Sequence, residues 1–221
     1  MEKVRKIRKN IVKKRVLPGV FLAVFVIIIA VLCYFYFQDK NQFNFAGLKW
    51  KIIEDENGTK YYYSRFRIME GFPVYTALFE NDPRTESVEI EQGTFFKFNQ
   101  KTFITFNADA EECGAKNAVV TQMLSEFLST AGIETERATA DKNLSEESGM
   151  PFKNCITAKN SNYSVIMLEK SDYPYIWQPN KNCYVIRVGN CENLKAGEKF
   201  ITAIIVQLHD IEEIMTRESN K

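Results

Sequence analysis

Histidine is almost missing from this chain: His209 is the only one among 221 residues. A Ser-His-Asp or Cys-His arrangement would have to use it, and no G-x-S-x-G turn accompanies it to supply a nucleophile. Its place on an expected helix beside Asp210 reads as an exposed or capping histidine. There is no glycine loop of the kind that cradles phosphate and no H-E-x-x-H helix. The cysteines form no Cys-x-x-Cys pair, so zinc lacks its usual ligand spacing and no cofactor is expected. No internal repeat or low-complexity stretch is visible.

Charge is absent from the 22 residues Val16 to Phe37. A run of that length matches the roughly 20 residues a helix needs to cross about 30 Å of hydrocarbon. Pro18 and Gly19 sit in its first turn, where a missing amide proton costs little. Tyr34 and Tyr36 lie at its far end, where aromatic residues meet the membrane–water boundary. Lys3, Arg5, Lys6, Arg8, Lys9, Lys13, Lys14 and Arg15 precede it, opposed by Glu2 alone. Such a flank stays cytoplasmic, so the reading is a single-pass cell-membrane protein with its carboxyl-terminal part exported. A cleaved signal peptide would have a shorter apolar core and a small-residue cleavage site, which CYFYFQDK does not offer. Lipidation of Cys33 is disfavoured by bulky Leu32 before it, and a buried soluble helix would show a polar face.

The basic cluster suits topology and anionic lipid headgroups better than nucleic acid. The whole chain has 29 basic and 28 acidic side chains, and the first sixteen residues hold eight and one of these. The remaining 21 and 27 give the rest a net charge of −6, so nucleic acid is not an expected partner. The expected organisation is a basic tail 1–15, a transmembrane helix 16–37 touching lipid, a linker 38–47 and an extracytoplasmic domain 48–221. A domain of that size can bury a proper core.

Four cysteines follow the span: Cys113, Cys155, Cys183 and Cys191. In an oxidising compartment they suggest two disulfides with three possible pairings. Cys155 and Cys183 each follow an asparagine and open a strand-like run, and neighbouring strands would bring them into range. That leaves Cys113 with Cys191. Four buried thiols are the alternative if the orientation is reversed.

An antiparallel meander is expected first, with strands at Trp50–Ile53, Lys60–Met69 and Pro73–Phe79. Turn signals lie at Asp55–Thr59, Glu70–Gly71 and Asn81–Arg84. Further strands are expected at 102–106, 135–139, 155–158, 164–169 and 183–188, with 140–153 as an exposed loop. Helices are expected at 115–131, through the stripe Ala115, Val119, Met123, Phe127, Leu128 and Ala131, and at 192–215. The second helix carries the stripe Leu194, Gly197, Phe200, Ile201, Ile204, Ile205, Leu208, Ile211 and Met215. The fold class is α+β, or an α/β sandwich: a mixed sheet with an antiparallel meander and two amphipathic helices.

Two clusters could act on a ligand. Asn107, Asp109, Glu111 and Glu112 lie between a strand and a helix, where α/β folds place ligands. Asp109 and Glu111 could hold a cation, although the spacing departs from an EF-hand and helix capping explains the acids more simply. Tyr173, Tyr175 and Trp177 form an aromatic group in an expected loop, beside Tyr61, Tyr62, Tyr63 and Phe66. Exposed aromatic residues next to polar groups grip sugars, peptides or a partner surface. Asn57, Asn143 and Asn162 head N-glycosylation acceptor triplets.

Three segments together resemble a group of single-pass, membrane-anchored proteins of small-genome archaea that has no assigned activity. They are Asn81-Asp82-Pro83-Arg84, the run Phe103 to Ala110, and Asn182-Cys183-Tyr184-Val185-Ile186. The resemblance implies an exported, tethered domain with a bridge between Cys155 and Cys183, and transfers no catalytic residue. The function expected is a membrane-tethered binding or scaffolding domain, with protein partners in the cell envelope. An anchored hydrolase-like enzyme using the loop around Asp109, or a small subunit of a larger membrane complex, are the other readings.

Overall fold

The computed structural model describes residues 24–32, 41–68, 70–85, 88–106, 113, 115–189, 191 and 193–219. They divide into two units, one ending at Phe43 and one beginning at Asn44. Residues 24–32 form a helix (α1) whose side chains are exposed. Among the described residues no helix is long and apolar enough to cross a membrane. The basic tail and residues 16–23 and 33–37 of the expected span lie outside the described residues.

The meander makes a sheet of its own, in the order β1-β2-β3-β4. Its strands are β1 (Gln42–Phe45), β2 (Leu48–Glu54), β3 (Lys60–Arg67) and β4 (Val74–Phe79). β1 corrects the reading of 38–47 as linker. Ala46 and Gly47 both have positive φ, 50° and 70°, which is what a tight two-residue hairpin requires. The Asp55 carboxylate shapes the next turn by accepting from the N–H groups of Asn57 and Thr59. β4 alternates strictly, burying Tyr75, Ala77 and Phe79. Trp50 is fully buried against Phe79, with ring centroids 5.4 Å apart.

The second sheet has six strands in the order β5-β9-β10-β8-β6-β7. These are β5 (Glu89–Ile90), β6 (Lys101–Phe106), β7 (Glu134–Thr139), β8 (Ser164–Ser171), β9 (Tyr175–Asn180) and β10 (Cys183–Gly189). β7, β6, β8 and β10 run parallel, β9 is antiparallel to β10, and β5 is parallel to β9. The central strands β8 and β10 carry the apolar runs Val165–Leu168 and Cys183–Ile186 because both faces are covered there.

Helices α2 (Ala115–Thr130) and α5 (Asn193–Ser219) pack on one another and touch both sheets. Phe200 of α5 joins Phe96, Phe98 and Tyr184 over the six-stranded sheet. Phe127 of α2 meets Tyr75 of the meander edge-on at 5.1 Å. The helices therefore form a middle layer, which is why α5 buries Glu198 and Thr202 as well as its apolar stripe. α2 buries Val120, Leu124, Phe127 and Leu128, whereas Val119 is 54% exposed, so the expected stripe is rotated. The α5 stripe is buried only as far as Ile205. Leu208 and Met215 are exposed.

The opposite face of the six-stranded sheet carries two short helices, α3 (Lys142–Ser148) and α4 (Cys155–Ala158). Both correct the reading of their residues as loop and strand. Asp141 caps α3 by accepting from Asn143 N and Leu144 N. Asn154 caps α4 in the same way while the Thr157 hydroxyl accepts from Asn154 N, a full capping box. The cap chemistry overrode the β-branched appearance of Cys155-Ile-Thr.

Two disulfides staple the domain, Cys113–Cys191 and Cys155–Cys183. The first joins the residues just before α2 and α5. The second joins α4 to the start of β10, and in the chain-entropy model loops of these lengths contribute roughly 4.5 and 3.5 kcal/mol. Around the second bridge lies a knot of amides. Asn182 donates to Ala158 O and Ser161 O, and its Oδ1 accepts from Asn99 Nδ2. Its N–H donates to Asn180 Oδ1, while its carbonyl accepts from Val165 N.

Candidate functional site

β10 lies between β8 and β9, so the link from β8 to β9 must cross over its carboxyl end. Gly189 makes this crossing possible: a Cβ there would come within 2.6 Å of the nitrogen and Cδ of Pro174. The Ser171 hydroxyl holds the link by donating to Tyr173 O. Tyr173 is left 60% exposed at the crest. Tyr175 and Trp177 then fall two residues apart on β9 and share a face, with Ile176 buried on the other.

That face brings the three aromatic residues together with charge. Tyr175 stands opposite Arg187 of β10, and Arg187 opposite Glu169 of β8. Arg187 Nε donates to Glu169 Oε2 at 2.9 Å, and its guanidinium lies 5.8 Å from the Trp177 ring centre. Hydrogen bonding to Glu169 holds the Arg187 pKa above its ordinary value, with Tyr173 adding to the effect. Desolvation raises the Tyr175 phenol, and the charges of Glu91 and Glu89 push the same way. The buried Trp177 indole N–H has no hydrogen-bond partner among the described residues. The arrangement offers ring faces for stacking, a planar cation and a carboxylate.

Tyr175 and Trp177 were expected in a loop and lie instead in a strand, because pairing with β10 organises a segment rich in proline and polar residues. Arg187 and Glu169 were not foreseen as part of the site. The available signal was the lone Arg187 in an apolar strand and Glu169 directly after the apolar run Val165–Leu168. Tyr61, Tyr62 and Tyr63 lie apart, on β3 of the other sheet.

Asn107, Asp109, Glu111 and Glu112 lie outside the described residues. Among the described residues no group of three His, Cys, Asp or Glu side chains could hold a metal ion. His209 is half-buried rather than at an exposed edge, with its ring against the β1–β2 turn at Gly47. Asn57, Asn143 and Asn162 are all exposed.

One buried acid escaped the sequence reading. Glu198 is 2% exposed in the second turn of α5. Its carboxylate accepts from Glu80 N at 2.6 Å, Asn81 N at 3.0 Å and Asn81 Nδ2 at 2.7 Å. Burial pushes its pKa up to about 7 although these donors favour the charged form. Glu198 therefore clamps the middle layer to the end of β4. A glutamate in register with Leu194, Ile201 and Ile205 on one helix face was the signal for it.

No protein-family model, curated protein or solved structure matches this chain.

Proposed function

We propose that this protein is a membrane-tethered, extracytoplasmic binding or scaffolding domain whose ligand face is the Tyr173, Tyr175, Trp177 and Arg187 patch. The observation that carries the reading is the meeting of three aromatic residues and an ion pair on one partly open sheet face. The two disulfides support an oxidising compartment. The charge-free segment 16–37 behind a basic flank supports a tether with its amino terminus inside. A tether raises the effective concentration of the domain for partners at the membrane surface, as envelope assembly requires.

Crosslinking in intact cells tests this. The wild-type chain is expected to give discrete adducts that a Tyr175→Ala, Trp177→Ala double variant loses while keeping its melting temperature. Adducts that survive the double substitution would move the ligand face elsewhere. Protease added to unbroken cells is expected to digest the domain; digestion only after lysis would overturn the compartment.

A further inference from the structure

β7 closes one margin of the six-stranded sheet, with β6 as its neighbour on the inner side. Its hydrogen bonds show which backbone groups face outward. Glu134 N–H donates to Gln100 O and Ala140 N–H to Phe106 O, so the even-numbered residues turn their polar backbone toward β6. Thr139 turns the other way. Its N–H donates to Pro151 O at 3.0 Å, and its carbonyl accepts from Lys153 N–H at 2.9 Å. Strand alternation then aims the N–H and C=O of Thr135 and Arg137 outward. Among the described residues no main-chain group beyond the sheet meets them.

Beside this edge a cleft of about 370 Å³ opens between β7 and α2. Ile104, Ala118, Thr121, Ser125, Thr135 and Arg137 line it. Ser125 and Thr135 share a hydrogen bond that pins the helix to the strand. Side chains of a strand laid along the edge would fall alternately over this cleft and over the opposite face.

We infer that β7 accepts an extended polypeptide segment of a partner protein by strand addition, with alternate side chains entering the α2–β7 cleft. Outward amides and carbonyls two residues apart are complementary to extended main chain. The protein already binds itself this way at Thr139, where residues 151–153 form a single parallel bridge, and the incoming segment continues that outermost row.

A second copy of this chain is the poorer occupant on charge grounds, although Lys101 of β6 pairs with Glu136 at 2.7 Å and with Glu134 at 3.4 Å. A two-fold antiparallel pairing of β7 with itself, centred on residue 136, sets Glu136 against Glu136. Centred on 135 it sets Glu136 against Glu134 twice, and centred on 137 it sets Arg137 against Arg137. Like charges directly opposite are destabilising, and edge charges of this kind guard natural sheets against self-pairing. The inference is independent of the aromatic patch, which belongs to the other margin of the sheet.

The test pans the full-length protein in detergent micelles against a phage-displayed library of linear peptides, then titrates the enriched peptides as synthetic compounds. Peptides are expected to bind and to slow amide exchange at Thr135 and Arg137 by at least about tenfold. Thr135→Pro and Arg137→Pro each remove one outward N–H and leave the β6 ladder intact, so each should weaken binding about fivefold or more. Peptides that bind without slowing these two amides, or a library that yields no binder, overturn the inference. A concentration-dependent dimer dissolved by Thr135→Pro also overturns it, because the edge would then belong to a second copy. Where a proline variant fails to fold, exchange in the wild-type chain decides.

Discussion

At the amino end of β10 the backbone and side chain of Asn182 are fully bonded and a disulfide lies alongside. Toward the carboxyl end of the same strand Tyr173 stands open to solvent beside the Arg187–Glu169 ion pair. One strand thus serves two ends with different tasks. The amino end gathers neutral amides and a covalent link, which hold the sheet together at any pH. The carboxyl end gathers rings and charges, and the two long helices start there, with Glu198 in the second turn of α5.

The largest test of this contrast removes the amino-end bridge. Cys155→Ser with Cys183→Ser is expected to lower the unfolding free energy by about 3.5 kcal/mol in denaturant titrations, without changing ligand-face crosslinking. An unchanged midpoint would show that the amide knot alone holds this end.

The second test uses pH. Glu198 has a folded-state pKa of about 7, above its ordinary value of 4.5, so the folded chain holds a proton that the unfolded chain releases. Stability from this group is complete below about pH 4.5 and is lost as pH rises through about 7. The loss is on the order of 3 kcal/mol, and Glu198→Gln should flatten it when the unfolding free energies of the two chains are compared from pH 5 to 8. Equal slopes in variant and wild type would remove Glu198 as the source.

Third, Asn182→Ala is expected to cost about 2 kcal/mol at every pH, because it removes the side-chain hydrogen bonds to Ala158 O and Ser161 O and from Asn99 Nδ2 from the knot. Smallest of all, Tyr173→Ala should change stability by less than about 0.5 kcal/mol, as for an exposed side chain. It should still weaken crosslinking at the patch. A large loss of stability from Tyr173→Ala would mean that the crest is structural and would erase the contrast between the two ends.

Much of this architecture was legible because apolar rhythm survives in the chain. The β6, β8 and β10 runs are dense in β-branched and aromatic residues, and the α5 stripe repeats over several turns. What escaped was set by partners or caps. β9 contains Pro179 and polar residues, and it is a strand because β10 lies beside it. α4 exists because Asn154 and Thr157 close a capping box. Of the candidate site, the aromatic members could be named from their spacing. Arg187 and Glu169 could not, since their meeting depends on the parallel register of β8 and β10, which neighbour each other in the sheet though β9 lies between them in the chain. Glu198 was hidden for a related reason: a helix clamped between two layers has no free side on which an acid would normally sit.

That clamped helix ties remote parts of the chain together. α5 spans Asn193–Ser219, and its Glu198 reaches back to Glu80 N across 118 positions. Contacts of such range are closed late and at a high entropic cost, so the globule should fold slowly for its size.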